Sequence, residues 1–297
     1  MYIDIVSDLH IEMNRKWAFN DDYDKQSELY PWHWEKRSDI LLVVGDCANH
    51  PDTTIEMITE ARQFYDHVIF TDGNHEHYIG AYNKDLTVGY NSNELQMFAN
   101  RIDGVEYLNG TGWFHDGVLF IGANGWYDWT AHSWTSRNEQ HAAWKRDSND
   151  SRCIRFDPDG YPDKLAQQQA DRLRQLVIDA QADDEIKQIV VITHTIPHRG
   201  GMVPDNHPWG YLNGSYFNSL MESVWMADVN EKIVMWGFGH THYPYDFVDH
   251  GIRFINNARG YATEERPSGP YKGLMQIDLD GDLNRSAFGI IDESVSE

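Results

Sequence analysis

Cysteine is scarce in this 297-residue chain, which has two, Cys47 and Cys153. Two thiols cannot build a disulfide framework, and their separation offers no Cys-x-x-Cys zinc pair, so both are expected to be reduced. Cationic side chains are also few: 24 Lys and Arg stand against 47 Asp and Glu, giving a formal charge of -23 and a pI near 4.9. Such a body repels polyanions over most of its surface and has no basic stripe, which argues against binding duplex nucleic acid. Long apolar runs are missing, and no stretch approaches the roughly 20 residues of a membrane span. Met1-Tyr2-Ile3-Asp4 enters a strand at once with no basic leader. These absences lead to the expectation of a cytoplasmic protein with no membrane partner. There is no internal repeat and no low-complexity segment.

What the sequence does contain is an alternation of short apolar runs and helical patterns. Tyr2–Val6, Ile40–Val44, His67–Phe70, Ile189–Ile192 and Ile233–Trp236 read as buried strands. Helices are expected over residues 53–65, 91–101 and 162–182. In the last, Leu165, Leu173, Leu176, Val177 and Ala180 form one apolar face. Val118–Gly122, Ile252–Asn256 and Leu274–Asp278 read as further short strands joined by Gly and Asn turns. The mixture is α/β in class and suggests two packed sheets flanked by helices. Two aromatic-rich stretches interrupt it, at about 17–34 and 126–161, the second carrying Trp126, Trp129, Trp134 and Trp144. Each reads either as a binding loop over the site mouth or as an aromatic mini-core.

Five segments place metal-binding side chains directly after the strands: Asp8-Leu9-His10, Gly45-Asp46, Gly73-Asn74-His75-Glu76, Thr193-His194 and Gly239-His240-Thr241-His242. Ligands of α/β folds collect beyond the carboxyl ends of strands, so these loops are expected to converge. The first two segments alone are weak, and Gly73-Asn74-His75-Glu76 is the rarer pattern. Asp205-Asn206-His207 repeats the first pattern without a preceding strand, and an isolated Gly-Asp is usually a turn. A carboxylate with two oxygens can bridge two cations, an Asn carbonyl is a neutral ligand, and two imidazoles from one turn can serve different ions. Taken in order, the five segments read as a two-metal phosphoester hydrolase. Because they run from residue 8 to residue 242, a single domain over residues 1–297 is expected.

These segments resemble those of the calcineurin-like metallophosphoesterase superfamily, and Asn257-Ala258-Arg259-Gly260-Tyr261 extends the resemblance toward its cytosolic bacterial and phage members. The resemblance implies a four-layer αββα double β-sandwich. It also implies Asp8, His10, Asp46 and His242 around one metal, Asp46, Asn74, His194 and His240 around the other, and His75 beside the leaving oxygen. Two divalent ions would polarise the phosphoryl group and lower the pKa of a bound water. Oxygen and imidazole ligands without thiolate suit Mn²⁺, Fe or Zn²⁺, with Mn²⁺ the first choice.

The chain departs from the protein Ser/Thr phosphatase branch, whose segment after the bridging Asp continues to an Asp-Arg pair and whose catalytic His-Glu is followed by Arg. Asn49-His50 and His77-Tyr78 occupy those places here. The phosphate-gripping arginines are therefore missing, and the partner that orients His75 is not evident. Arg259 is the candidate replacement, since a guanidinium can fork onto phosphate oxygens, although an ordinary ion pair with the acidic surface would equally account for it. His198 and Asp128 are weaker candidates for the mouth. The expected substrate is a small phosphodiester or phosphomonoester, with a nucleotide among the candidates. The alternatives are a nuclease of the same superfamily and a non-catalytic interaction scaffold.

Overall fold

The computed structural model describes residues 1–13, 30–81, 83–158, 160–261, 264, 271 and 273–281. Most of the first aromatic stretch, Trp17 included, lies outside them. Among the described residues eleven strands form two sheets. The first is ordered β11-β1-β2-β3-β4, with β1 Tyr2–Val6, β2 Ile40–Val44, β3 His67–Thr71, β4 Val105–Tyr107 and β11 Met275–Asp278. The second is ordered β5-β6-β7-β8-β10-β9, with β5 Thr111–His115, β6 Val118–Ala123, β7 Gln188–Thr193, β8 Ile233–Phe238, β9 Tyr245–Asp249 and β10 Ile252–Asn256. The inner strands of both sheets pair in parallel, and β11, β5 and β9 close the edges antiparallel. Every residue of β2, Ile-Leu-Leu-Val-Val, is buried. That is the continuous apolar run expected of a parallel strand covered on both faces.

The helices are α1 Trp32–Glu35, α2 Pro51–Ala61, α3 Val88–Ala99, α4 Arg137–Asp147, α5 Asp150–Cys153, α6 Pro162–Gln181 and α7 Glu222–Trp225. Between the sheets, Ile3, Ile5, Leu42, Val44 and Ile69 meet Phe120, Val190, Ile192 and Met235 in one buried core. On the outer face of the first sheet, Met57, Ile58 and Ala61 of α2 and Leu95 and Ala99 of α3 cover Leu41, Val43, Val68 and Phe70. Opposite, Leu173, Val177 and Ala180 of α6 and Val224 of α7 cover Ile121, Val191 and Trp236. The layers are thus helix, sheet, sheet, helix, as expected for a calcineurin-like sandwich.

The helix ends differ from the sequence reading because capping set them rather than apolar spacing. The first expected helix begins two residues early, at Pro51, with the His50 side chain accepting from the Asp52 amide, and it stops at Ala61. Tyr65 lies beyond it and donates its hydroxyl to Asp4 at 2.9 Å. In α3, Thr87 caps the Tyr90 amide and moves the start to Val88. Helix α6 buries Leu173, Val177 and Ala180 as expected, but Ala166, Gln169 and Ala170 complete its inner face while Leu165 and Leu176 are half-buried.

The second aromatic stretch folds into α4, α5 and their flanking loops. Trp126, Tyr127, Trp129, Trp144 and Ile154 are buried together with Val88 of α3 and Ala166 of α6. It is an aromatic mini-core, with Trp134 left on its surface at 66% exposure.

Candidate metal centre

Parallel pairing turns the carboxyl ends of β1, β2, β3, β7, β8 and β10 to one edge of the sandwich, and the loops leaving them meet there. The β1 and β10 loops are stitched by a Ser7–Ala258 bridge and by Asn257, whose Nδ2 donates to Ile5 O at 2.8 Å. These loops are strained. Asp8, His10, Asp46, His240 and His242 have φ of 52°, 40°, 53°, 73° and 55°. Side-chain-bearing residues seldom occupy this left-handed region, and where they do the surrounding structure must hold them. Two glycines permit the crowding. A Cβ on Gly73 would fall 2.1 Å from Asp46 Oδ1, and one on Gly45, itself at φ 77°, would fall 2.6 Å from His194 Nδ1.

Asp46 stands at the centre. Its Oδ1 accepts from the His75 amide at 2.9 Å, while Oδ2 lies 3.3 Å from His194 Nε2, 3.8 Å from His10 Nε2 and 3.9 Å from His75 Nε2. On one side, Asp8, His10 and His242 join it, with His242 Nε2 3.4 Å from Asp8 Oδ1 and 2.9 Å from His10 Nε2. On the other, His194 and His240 join it, and Asn74 Oδ1 lies 3.1 Å from His194 Nε2. The structure therefore brings all seven expected ligands together, in the two groups the resemblance implied.

The backs of the His194, His242 and His240 imidazoles are engaged, which fixes which nitrogen faces inward. His194 Nδ1 donates to Val44 O at 3.0 Å, and His242 Nδ1 donates to the Glu264 carboxylate at 2.8 Å. His240 is turned the other way, with Nε2 donating to Ser215 O at 3.0 Å, so Nδ1 is its inward atom. Burial lowers His240 to about 3 and His75 to about 4, keeping both neutral. Burial opposes a charge on His194 too, but the Asp46 anion outweighs it and raises that group to about 10. Asp46 is pushed up by burial yet held well below the usual carboxylate range by His194 and His75.

These groups fit a pair of divalent cations on their own chemistry. Asp8 is fully buried, and its Oδ2 has no hydrogen-bond partner among the described residues, a costly arrangement for a carboxylate oxygen unless a cation meets it. The donor set is imidazole nitrogen, carboxylate and amide oxygen, which matches Mn²⁺, Fe or Zn²⁺.

His75 lies at this edge as well. Its Nδ1 donates to Asn49 Oδ1 at 2.5 Å, its ring stacks on Tyr78 at 4.0 Å, and Tyr261 OH is 3.2 Å from Nε2. Arg259 runs beside the centre, its amide donating to Ser7 O at 3.0 Å and the next amide, of Gly260, to Asp8 O at 2.9 Å. The two weaker candidates are engaged with other partners. Asp128 is buried and accepts from Thr130 and Ser219, while His198 packs on Phe254, Phe247 and Trp225 and pairs with Asp249 at 3.0 Å.

Several participants were not read as such from the sequence. Glu76, inside a quoted segment, accepts from the amides of Asp46, Cys47 and Gly73 and from Thr54 Oγ1, so it ties two metal loops together. The sequence marks Asn49 only as a departure from the phosphatase branch. Tyr261 packs its ring on His10 at 4.6 Å and His242 at 4.7 Å. Asp150 reaches Asn74 from the aromatic stretch, a contact that only the fold creates. His77 points away and pairs with Asp72 at 2.7 Å, so it does not replace the missing arginine.

Comparison with known proteins gives the family and the fold. The calcineurin-like phosphoesterase family model matches residues 1–244. The uncharacterized protein L509 of Acanthamoeba polyphaga mimivirus is 28% identical over 294 residues, covering 93% of this chain and 95% of that protein. The crystal structure of the phosphopantetheinyl hydrolase PptH from Mycobacterium tuberculosis superposes with a TM-score of 0.70 at 22% identity, over 93% of this chain and 95% of that one. A match spanning most of the chain, with the strand-end loops in place, identifies the chain as a member of the calcineurin-like phosphoesterase family, a metal-dependent phosphoester hydrolase.

Proposed function

We propose that this enzyme hydrolyses a small phosphodiester or phosphomonoester, with a nucleotide among the candidates, at the centre built on Asp46. One observation carries the reading: the Asp46 carboxylate lies between two donor groups, Asp8, His10 and His242 on one side and Asn74, His194 and His240 on the other. In this reading the seven residues hold two divalent ions, with Mn²⁺ preferred because it accepts mixed oxygen and nitrogen ligands. Such a pair, when bound, polarises the phosphoryl group and makes a water acidic enough to attack at neutral pH.

The chain's own residues do the rest. His75, anchored through its Nδ1–H, presents an unprotonated Nε2 toward the leaving oxygen and acts there as a proton donor once Nε2 has taken up a proton. Arg259, on the loop beside Asp8, is the proposed contact to a phosphate oxygen. Two free thiols, Cys47 buried and Cys153 partly buried, support placing the enzyme in the reducing cytoplasm. The body is proposed to be one domain over residues 1–297.

Hydrolysis of bis-p-nitrophenyl phosphate and p-nitrophenyl phosphate, with Mn²⁺ added or chelated, tests the proposal in wild type and His75→Ala. Mn²⁺-dependent turnover that drops in the variant is expected, and the faster of the two substrates assigns the ester class. Turnover that survives chelation would sink it.

A further inference from the structure

Asp150 opens α5, within the aromatic stretch, and is 3% exposed. Its Oδ1 accepts from Asn74 Nδ2 at 2.8 Å and from Tyr78 OH at 2.7 Å, and its Oδ2 accepts from Tyr127 OH at 2.9 Å. Tyr127 OH in turn accepts from Trp144 Nε1 at 2.8 Å. A chain of hydrogen bonds therefore runs from the aromatic mini-core through one buried carboxylate to Asn74.

The consequence lies in the two unlike ends of an amide. Asn74 can bind a cation only through Oδ1, and turned over it would direct its NH₂ at the same place. An ionised carboxylate can only accept, so Asp150 draws Nδ2 toward itself at 2.8 Å, with Tyr78 OH a second, longer acceptor at 3.3 Å, and Oδ1 is left turned toward His194, 3.1 Å away. A neutral or two-faced partner would not discriminate between the two orientations in this way. Tyr78 adds to the effect: its hydroxyl donates to the same Oδ1 while its ring carries the stack with His75.

We propose that Asp150 is a positioning residue that fixes the Asn74 amide with its oxygen toward Asp46, His194 and His240, and so sets the affinity of that one of the two cation positions. The inference rests on the metal-centre reading given above. The aromatic mini-core then contributes to the chemistry through Asp150, apart from any contact its surface makes with substrate.

The test is the number and affinity of Mn²⁺ ions bound, by calorimetric titration of chelated and desalted protein. The paramagnetic resonance spectrum of the bound Mn²⁺ is recorded in parallel. Wild type is expected to take two ions with a spin-coupled spectrum. In Asp150→Ala one ion is expected to weaken by about 10–100-fold while the other is unchanged, leaving an isolated-ion spectrum. Tyr127→Phe removes a donor to Asp150 but not the Asn74 bond, and should keep both ions. Asp150→Asn keeps one acceptor oxygen and should weaken the same ion by a smaller factor.

Two unchanged affinities in Asp150→Ala would overturn the proposal, as would loss of the same ion in Tyr127→Phe. If Asp150→Ala fails to fold, unchanged affinities in Asp150→Asn overturn it equally. Wild type that binds no ion would remove the metal-centre reading as well, whereas wild type and Asp150→Ala binding two ions alike would remove this inference alone.

Discussion

Asn49 Oδ1 lies 2.5 Å from His75 Nδ1, so the imidazole donates backwards to a neutral amide and faces the metal loops with Nε2. The Tyr78 ring holds it from the side at 4.0 Å. Loss of the acceptor frees the ring to rotate about χ2. Asn49→Ala is expected to lower kcat by about 100-fold, the usual scale for a misplaced reacting group, with metal content unchanged. Asn49→Asp keeps an acceptor at the same place and should lose less. Steady-state kinetics with metal analysis of the same preparations decides, and a wild-type kcat in Asn49→Ala would show that the contact does not position His75.

Glu76 has no solvent exposure, and its two oxygens are both occupied. Oε1 accepts from the Cys47 amide at 2.7 Å and Thr54 Oγ1 at 3.1 Å, and Oε2 accepts from the Gly73 amide at 2.7 Å and the Asp46 amide at 3.2 Å. Whichever oxygen becomes an NH₂ in Glu76→Gln, it meets at least two donors and leaves them unpaired. About 2–4 kcal/mol of stability should be lost, read from the urea midpoint of metal-free protein. A loss below about 0.5 kcal/mol would mean that the loops hold without this clamp.

Much of this architecture was legible in the sequence, because a buried parallel strand is written as an unbroken apolar run and the metal loops follow such runs directly. Ile40–Val44 and Ile252–Asn256 appear with the bounds read from sequence. The candidate ligands were legible for the same reason: each lies within a few residues of a strand end. Glu76, Asn49 and Asp150 were not, since what each does depends on a partner 22 to 76 residues away and on the direction of a single side chain. Helix starts at Pro51 and Val88 were missed because a cap acts through one hydrogen bond, which apolar spacing does not register. The aromatic stretch could be read two ways because Trp buries large area in a core and in a binding loop alike.

Gly73 is the tightest glycine at the centre, since a Cβ there would lie 2.1 Å from Asp46 Oδ1 and 2.7 Å from the Asp46 amide nitrogen. Both atoms belong to the residue shared by the two donor groups, and neither is the end of a flexible chain. Gly73→Ala must displace Asp46 or its loop by most of an ångström. Activity is expected to fall by at least about 100-fold, with Mn²⁺ binding weakened at both positions rather than one. Calorimetric titration of the variant checks this, and two wild-type affinities would show that Asp46 tolerates the shift.

Trp144 and Trp134 separate the two roles open to the aromatic stretch. Trp144 is 2% exposed, lies 5.5 Å from Trp129 and 5.9 Å from Tyr161 between ring centroids, and donates Nε1 to Tyr127 OH. Trp134 is 66% exposed and touches the His132 ring at 4.6 Å. Truncating a buried indole removes its transfer free energy and leaves a cavity that rigid neighbours fill poorly, so Trp144→Ala should cost about 3–5 kcal/mol. Trp134→Ala removes mostly solvated surface and should cost within about 0.5 kcal/mol. Urea unfolding of the two variants side by side gives the comparison, because both substitutions delete the same atoms and differ only in what surrounds them. Equal costs would mean that α4 and its loops do not form a core of their own. A near-neutral Trp134→Ala that raises KM with kcat unchanged would add a substrate contact at the rim of the same element, since it would remove binding energy common to ground and transition states.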